Sequence, residues 1–145
     1  PIIADGVAAA IRDAHRVVRA RVSRSEGVGD RSDTGTASCM DYEHSPFSPD
    51  GGPCRVSFLL CLACPNAVVT PRHLPRLAYL HLALDRLRGV LTSAVWDHDW
   101  REHYVRLTDL RDTAFTPAEW ADALIGLSAA DREIIDQLLR RGFDA

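Results

Sequence analysis

The chain's only four cysteines, Cys39, Cys54, Cys61 and Cys64, fall in one stretch of 26 residues with the spacing C-x14-C-x6-C-x2-C. Around them the sequence is rich in Pro, Ser and Gly and poor in helical periodicity. Such a stretch needs a cross-link to settle on one shape. The turn Cys61-Leu62-Ala63-Cys64 lets two sulfurs face one ion, and two more thiolates complete a tetrahedral set of the kind that holds Zn²⁺. A structural zinc on Cys39, Cys54, Cys61 and Cys64 is the expectation, closed by sulfur and with no open position for a substrate. An iron–sulfur cluster takes the same ligand set and is the second candidate. A redox Cys-x-x-Cys requires Cys61 at a helix N-terminus within a βαβ pattern, which the sequence lacks. Small buried apolar thiols are the plainest alternative.

The remaining composition narrows the class. A length of 145 residues with 46% hydrophobic content suits one domain with a real core. A net charge of −3 gives no global attraction to nucleic acid. All 17 basic residues are Arg, which points to a GC-rich bacterial genome rather than to a functional demand. The chain opens at Pro1 and its one Met is Met40, so it reads as a piece of a longer protein. No apolar run reaches about 18 residues, so no membrane span is predicted, and no signal-peptide pattern opens the chain. A reducing cytoplasm follows, where clustered thiols favour metal over disulfide.

Along the chain, residues 1–24 read as an amphipathic helix, with Ile3, Val7, Ala10, Ile11, Ala14, Val17 and Val18 at helical spacing. Residues 25–38 have the composition of a flexible linker. Residues 39–69 form the cysteine module, where alternating Val56, Phe58 and Leu60 suggest a short strand. Residues 70–112 read as a helical hairpin. Its first arm starts near Pro75 and carries Leu77, Leu80, Leu84, Leu87 and Leu91. Its second carries Trp96, Trp100, Tyr104, Leu107 and Leu110. Residues 113–145 hold two more helices. Thr116-Pro117-Ala118-Glu119 is a capping box for the first, and Ser128 caps the second, which Gly142 ends. The predicted fold is mainly α: a helical hairpin plus short helices, with a metal-stapled irregular or short-β module.

The segments Ser38-Cys39-Met40-Asp41-Tyr42, Ser45-Pro46-Phe47, Gly52-Pro53-Cys54 and Cys61-Leu62-Ala63-Cys64-Pro65-Asn66-Ala67 together resemble a Cys-rich module near the C-terminus of large bacterial integrases of the tyrosine-recombinase type. Thr70-Pro71-Arg72-His73-Leu74-Pro75-Arg76-Leu77 and the Asp99-Trp100 pair extend the resemblance over residues 38–112. The resemblance implies a role in DNA integration and recombination within a mobile element. It also implies strand exchange by a Tyr nucleophile, with Arg and His groups on the phosphate, all in a catalytic domain upstream of the module. No catalytic residue is assigned here. His73-Leu74-Pro75-Arg76 mimics a His-x-x-Arg motif, but Pro75 interrupts it, no Arg box precedes it, and Tyr104 lies on an apolar stripe.

If the region touches DNA, Arg55, Arg72 and Arg76 beside the cysteines are the expected phosphate contacts, with Arg12, Arg16 and Arg19 on the first helix as a second row. From residue 93 onward 11 acids face 6 Arg, which favours the alternative of a protein–protein interaction module with a structural zinc and no DNA contact. The expected function is an accessory region of a site-specific integrase, contacting DNA or other protomers of the recombination complex. A thiol oxidoreductase is the third reading.

Overall fold

The computed structural model describes residues 18–26, 32–48, 50–54 and 58–144. The chain is mainly helical, with one small sheet. Its strands are β1 (Arg21–Val22), β2 (Ser32–Asp33), β3 (Ser38–Cys39) and β4 (Ala67–Val69), in the order β1-β4-β3-β2. β1 runs parallel to β4, while β3 is antiparallel to both β4 and β2.

Three sequence expectations change here. Residues 18–24 are extended and contribute β1, where a continuous helix was predicted; the helical pattern over residues 1–17 lies outside the described residues. The Ser/Thr/Gly-rich stretch predicted to be a linker supplies β2 and a tight turn into β3, with Thr36, Ala37 and Ser38 buried. Its composition suits that turn. Asp33 Oδ1 accepts the Gly35 N–H at 2.9 Å, and Gly35 sits at φ 95°, a conformation that glycine adopts without penalty. Phe58 and Leu60 are not in a strand. They open a 3₁₀ segment, Phe58–Ala63, that buries Leu59, Leu62 and Ala63.

The helices follow the leucine and tryptophan spacing. Pro71–His73 forms a 3₁₀ turn that leads into α1 (Leu74–Val90), with Pro75 in the first turn, where its missing N–H costs nothing. Leu77, Leu80 and Leu84 are buried, and Leu87 and Leu91 pack against the core. The second arm starts as α2 (Ser93–Val95), widens into a π-helical turn at Trp96–Trp100, and continues as α3 (Arg101–Ala114). Trp96, Trp100, Leu107 and Leu110 are buried, and Tyr104 lies at the core's edge. α4 (Pro117–Ile125) opens on the predicted capping box: Glu119 N–H donates to Thr116 Oγ1 at 3.1 Å, and Thr116 N–H to Glu119 Oε1 at 3.0 Å. α5 (Ala129–Asp144) is capped by Ser128, whose Oγ accepts the Asp131 N–H, and it runs past Gly142 instead of ending there.

α1 is central. It packs against α3, α4 and α5, most broadly against α4, so the core is shared among four helices rather than confined to the two arms of a hairpin. The 3₁₀ segment packs on α3 and joins this core to the sheet. No helix among the described residues is long and apolar enough to cross a membrane.

Candidate metal centre

All four cysteines are free thiols, each partly buried. Cys39 ends β3, directly opposite Ala67 of β4. Cys64 lies just before β4, and its carbonyl accepts the Ala67 N–H at 3.2 Å. Cys61 lies late in the 3₁₀ segment, and its carbonyl accepts the Cys64 N–H at 3.0 Å, which closes the Cys-x-x-Cys turn. Cys54 is brought back by its own N–H, which donates to Tyr42 O at 2.9 Å. Asn66 pins the intervening loop by donating from Nδ2 to Asp41 O at 3.1 Å and to His44 O at 3.0 Å.

The sulfurs are in electrostatic reach of one another. Burial pushes the Cys61 thiol up, and charge on Cys54 or Cys64 pushes it further; the Thr34 and Thr36 hydroxyls, which hydrogen-bond the sulfur, act the other way. Burial also raises the Cys64 thiol, opposed by the Asn66 and Ala67 backbone N–H groups that donate to it, and charge on Cys39 or Cys54 adds to the rise. Two backbone donors aimed at one sulfur favour its anionic form, the form that binds metal. Still, among the described residues no group of three or more His, Cys, Asp or Glu side chains stands close enough together to hold an ion. Four thiols supply donors of the right chemistry, but the described geometry gathers no set that would hold an ion.

The thiol oxidoreductase reading loses its requirement here. Cys61 is not at a helix N-terminus, and its thiol is pushed up rather than down. His44, in the loop between Cys39 and Cys54, points its Nδ1 at Asp41 Oδ1, 2.9 Å away, on the surface.

The arginines divide differently from the sequence expectation. Arg76 is 8% exposed, so it is not a phosphate contact but an internal tie. Its Nη1 donates to Asp33 Oδ2 at 3.0 Å and to Gly35 O at 3.2 Å, while Nε donates to Asp131 Oδ1 at 2.9 Å. One guanidinium thus joins α1, β2 and α5. Burial alone would raise the Asp33 carboxyl, but the Gly35 N–H and the Arg76 guanidinium together hold it below its usual value. Arg72 is half exposed and already engaged, its backbone N–H to Glu26 Oε1 at 2.7 Å and its Nη2 to Ser38 Oγ at 3.2 Å. Arg19 is exposed, and its backbone N–H reaches Leu62 O at 2.9 Å. Arg12, Arg16 and Arg55 lie outside the described residues.

His73, the first residue of the apparent His-x-x-Arg motif, is fully buried. Its Nδ1 accepts the Thr70 N–H at 3.0 Å, which leaves Nε2 as the donor toward Asp33 Oδ1 at 3.3 Å. Burial lowers its pKa. The residue fastens the start of α1 to β2.

Two groups matter here that sequence reasoning missed. Thr34 and Thr36, inside the supposed linker, flank the Cys61 sulfur. Arg106 is fully buried on α3, with Nη2 donating to Leu59 O at 2.9 Å. Its signal was present in the sequence, since position 106 falls beside Leu107 and four before Leu110 on the stripe that faces the core.

Compared with protein-family models, with curated proteins and with solved structures, the chain matches none of them.

Proposed function

We propose that the chain is a metal-stapled assembly module, in which Cys39, Cys54, Cys61 and Cys64 take one structural Zn²⁺ and the helices offer a rigid protein-contacting surface. The observation that supports the reading is that Cys39 and Cys64 lie at the same end of the central β3–β4 pair, with Cys54 and Cys61 in electrostatic reach and backbone N–H groups of Asn66 and Ala67 directed at Cys64. Four thiolates ionise together only against a cation, so metal uptake would draw the sulfurs the remaining distance and couple the site to folding. Bound there, the ion would supply a cross-link and no chemistry.

The setting we infer is a site-specific integrase of the tyrosine-recombinase type, supported by the sequence resemblance over residues 38–112. Within that setting the arrangement of arginines favours protein contact over DNA contact. Arg76 is used internally, and Arg72 is shared with Glu26 and Ser38.

Elemental analysis of purified protein tests the metal, with one zinc per chain expected. Chelation or Cys64→Ser should then lower the melting temperature and raise hydrogen exchange across residues 39–69. An unchanged melt after verified metal removal sinks the reading. DNA titration at several salt concentrations tests the surface, because phosphate contacts give an affinity that falls steeply with salt. The assembly reading expects no such dependence.

A further inference from the structure

Residues 18–26 are held to the body by a different set of contacts from those that join the helices. Val18, Ala20 and Val22 pack against the core and alternate with the exposed Arg19 and Arg21, the period of two of a strand with one face on the core. Beside them lies β4, all three of whose residues are buried. The main-chain ties run to carbonyls: Arg19 N–H and Ala20 N–H donate to Leu62 O at 2.9 and 3.2 Å, and Ser23 N–H donates to Val69 O at 2.8 Å. β1 itself spans two residues, pairs in parallel and occupies an edge of the sheet. Beyond it the segment is tied by side chains near the surface. Arg24 Nη1 donates to Glu119 Oε2 at 2.8 Å, Nη2 donates to Ala114 O, and the guanidinium lies 5.1 Å from the centre of the Phe115 ring. Glu26 accepts the Thr70 hydroxyl at 2.9 Å and the Arg72 N–H at 2.7 Å.

None of residues 18–26 is fully buried, and the Arg24–Glu119 pair is 63% and 40% exposed. Exposed ion pairs contribute little and are screened by salt, and a short parallel edge strand lies at the weak end of local stability. Lifting the segment would bare the β4 edge, with Leu62 O and Val69 O as open acceptors. Such an edge is a template for an extended chain of the right pattern. The segment seen to fit it is this chain's own, and every copy carries one. We propose that the β4 edge is a strand-acceptor slot and that residues 18–26 exchange between two copies of the chain, each segment completing the other copy's sheet. Exchange of this kind re-forms the contacts of the closed monomer, so it needs no surface beyond the one described. No metal is required, and the exchange stands apart from the cysteine reading.

The test uses the full chain and a labelled peptide of residues 18–26. Hydrogen exchange should be faster at residues 18–26 than in α1, faster again in high salt, and fastest in Arg24→Ala. Fluorescence anisotropy should show the peptide binding roughly three- to tenfold more tightly to Arg24→Ala than to the parent, because the slot is open in a larger share of the molecules. A peptide carrying Val22→Asp should not bind. Sedimentation should show a dimer at high protein concentration that excess peptide converts to monomer. Protection at residues 18–26 equal to that of α1, or no binding of the peptide to either protein, overturns the slot. Peptide binding by a chain that stays monomeric at every concentration, or a dimer that saturating peptide leaves intact, overturns exchange between copies.

Discussion

The helical half and the sheet-bearing half of the molecule are held together by different forces. From Leu74 onward the contacts are leucine and tryptophan packing between helices whose spacing repeats every three or four residues. Before Leu74 a smaller apolar set, Leu59, Leu62 and Val69 among it, is joined by directional polar ties. Asp33, His73 and Arg76 form one network, Asn66 clamps a loop, and Cys39 and Cys64 lie at one end of the central β3–β4 pair. Apolar packing is non-directional and tolerates substitution by degrees. A buried polar network is directional, and removing one member strands the others. The two halves should therefore fail differently when perturbed.

The largest expected effect is Arg76→Met. It removes the donor to Asp33, Asp131 and the Gly35 carbonyl at once, and losing three such hydrogen bonds, two of them to charged groups, costs roughly 3–5 kcal/mol in sum. Hydrogen exchange should rise first at residues 33–39, with the core of α1 still protected. Uniform loss of protection would mean that the two halves are one cooperative unit after all. Next is Leu84→Ala, at a fully buried position in α1, with an expected cost of about 2–5 kcal/mol from lost transfer energy and the cavity left behind. Chemical denaturation should show this loss together with a global rise in exchange; a rise confined to the sheet would break the contrast.

Gly35→Ala sharpens the boundary between the halves. A Cβ there would lie 2.5 Å from Leu138 Cδ1, so that side chain must swing aside, and φ 95° strains any residue but glycine. A cost of roughly 1–3 kcal/mol is expected in thermal melts, as for other strained backbone positions. The smallest effect is a pH slope. Burial lowers His73 from its ordinary 6.5, so the folded state prefers the neutral ring. Its contribution is complete above pH 6.5 and is lost as pH falls below that value toward the folded pKa. Denaturation at a series of pH values should show stability declining on acidification, less steeply in His73→Gln. His81, also lowered chiefly by burial, supplies part of the slope that remains. Identical slopes in the two proteins would exclude His73 as a source.

The same division explains how much could be read from the sequence. The stripes Leu77, Leu80, Leu84 and Trp96, Trp100, Leu107, Leu110 announced their helices because apolar periodicity is a local signal. The Thr116 and Ser128 caps were legible for the same reason, since each partner lies three residues away. The sheet was not. Its strands are two or three residues long, too short for an alternating pattern, and its order depends on partners tens of residues apart. Ser32 to Ser38 carry loop-like residues because the segment makes a turn, and burial there comes from neighbours that local composition does not reveal. Arg76 was misjudged because a surface arginine and a buried, paired one look alike in sequence. The clustering of cysteines was legible as spacing, while Thr34 and Thr36, which hydrogen-bond the Cys61 sulfur, were hidden by their loop-like surroundings.

Parallel pairing places Arg21 of β1 opposite Val68 of β4, 47 positions later. No tight hairpin can make that match, so the ends of a long loop must find each other first. The helical body closes over a similar separation, since Arg76 of α1 meets Asp131 of α5 across 55 positions. Closure over long separations is thus common to both halves, and Arg21 and Val22 are held by a strand that the chain reaches only at residue 67.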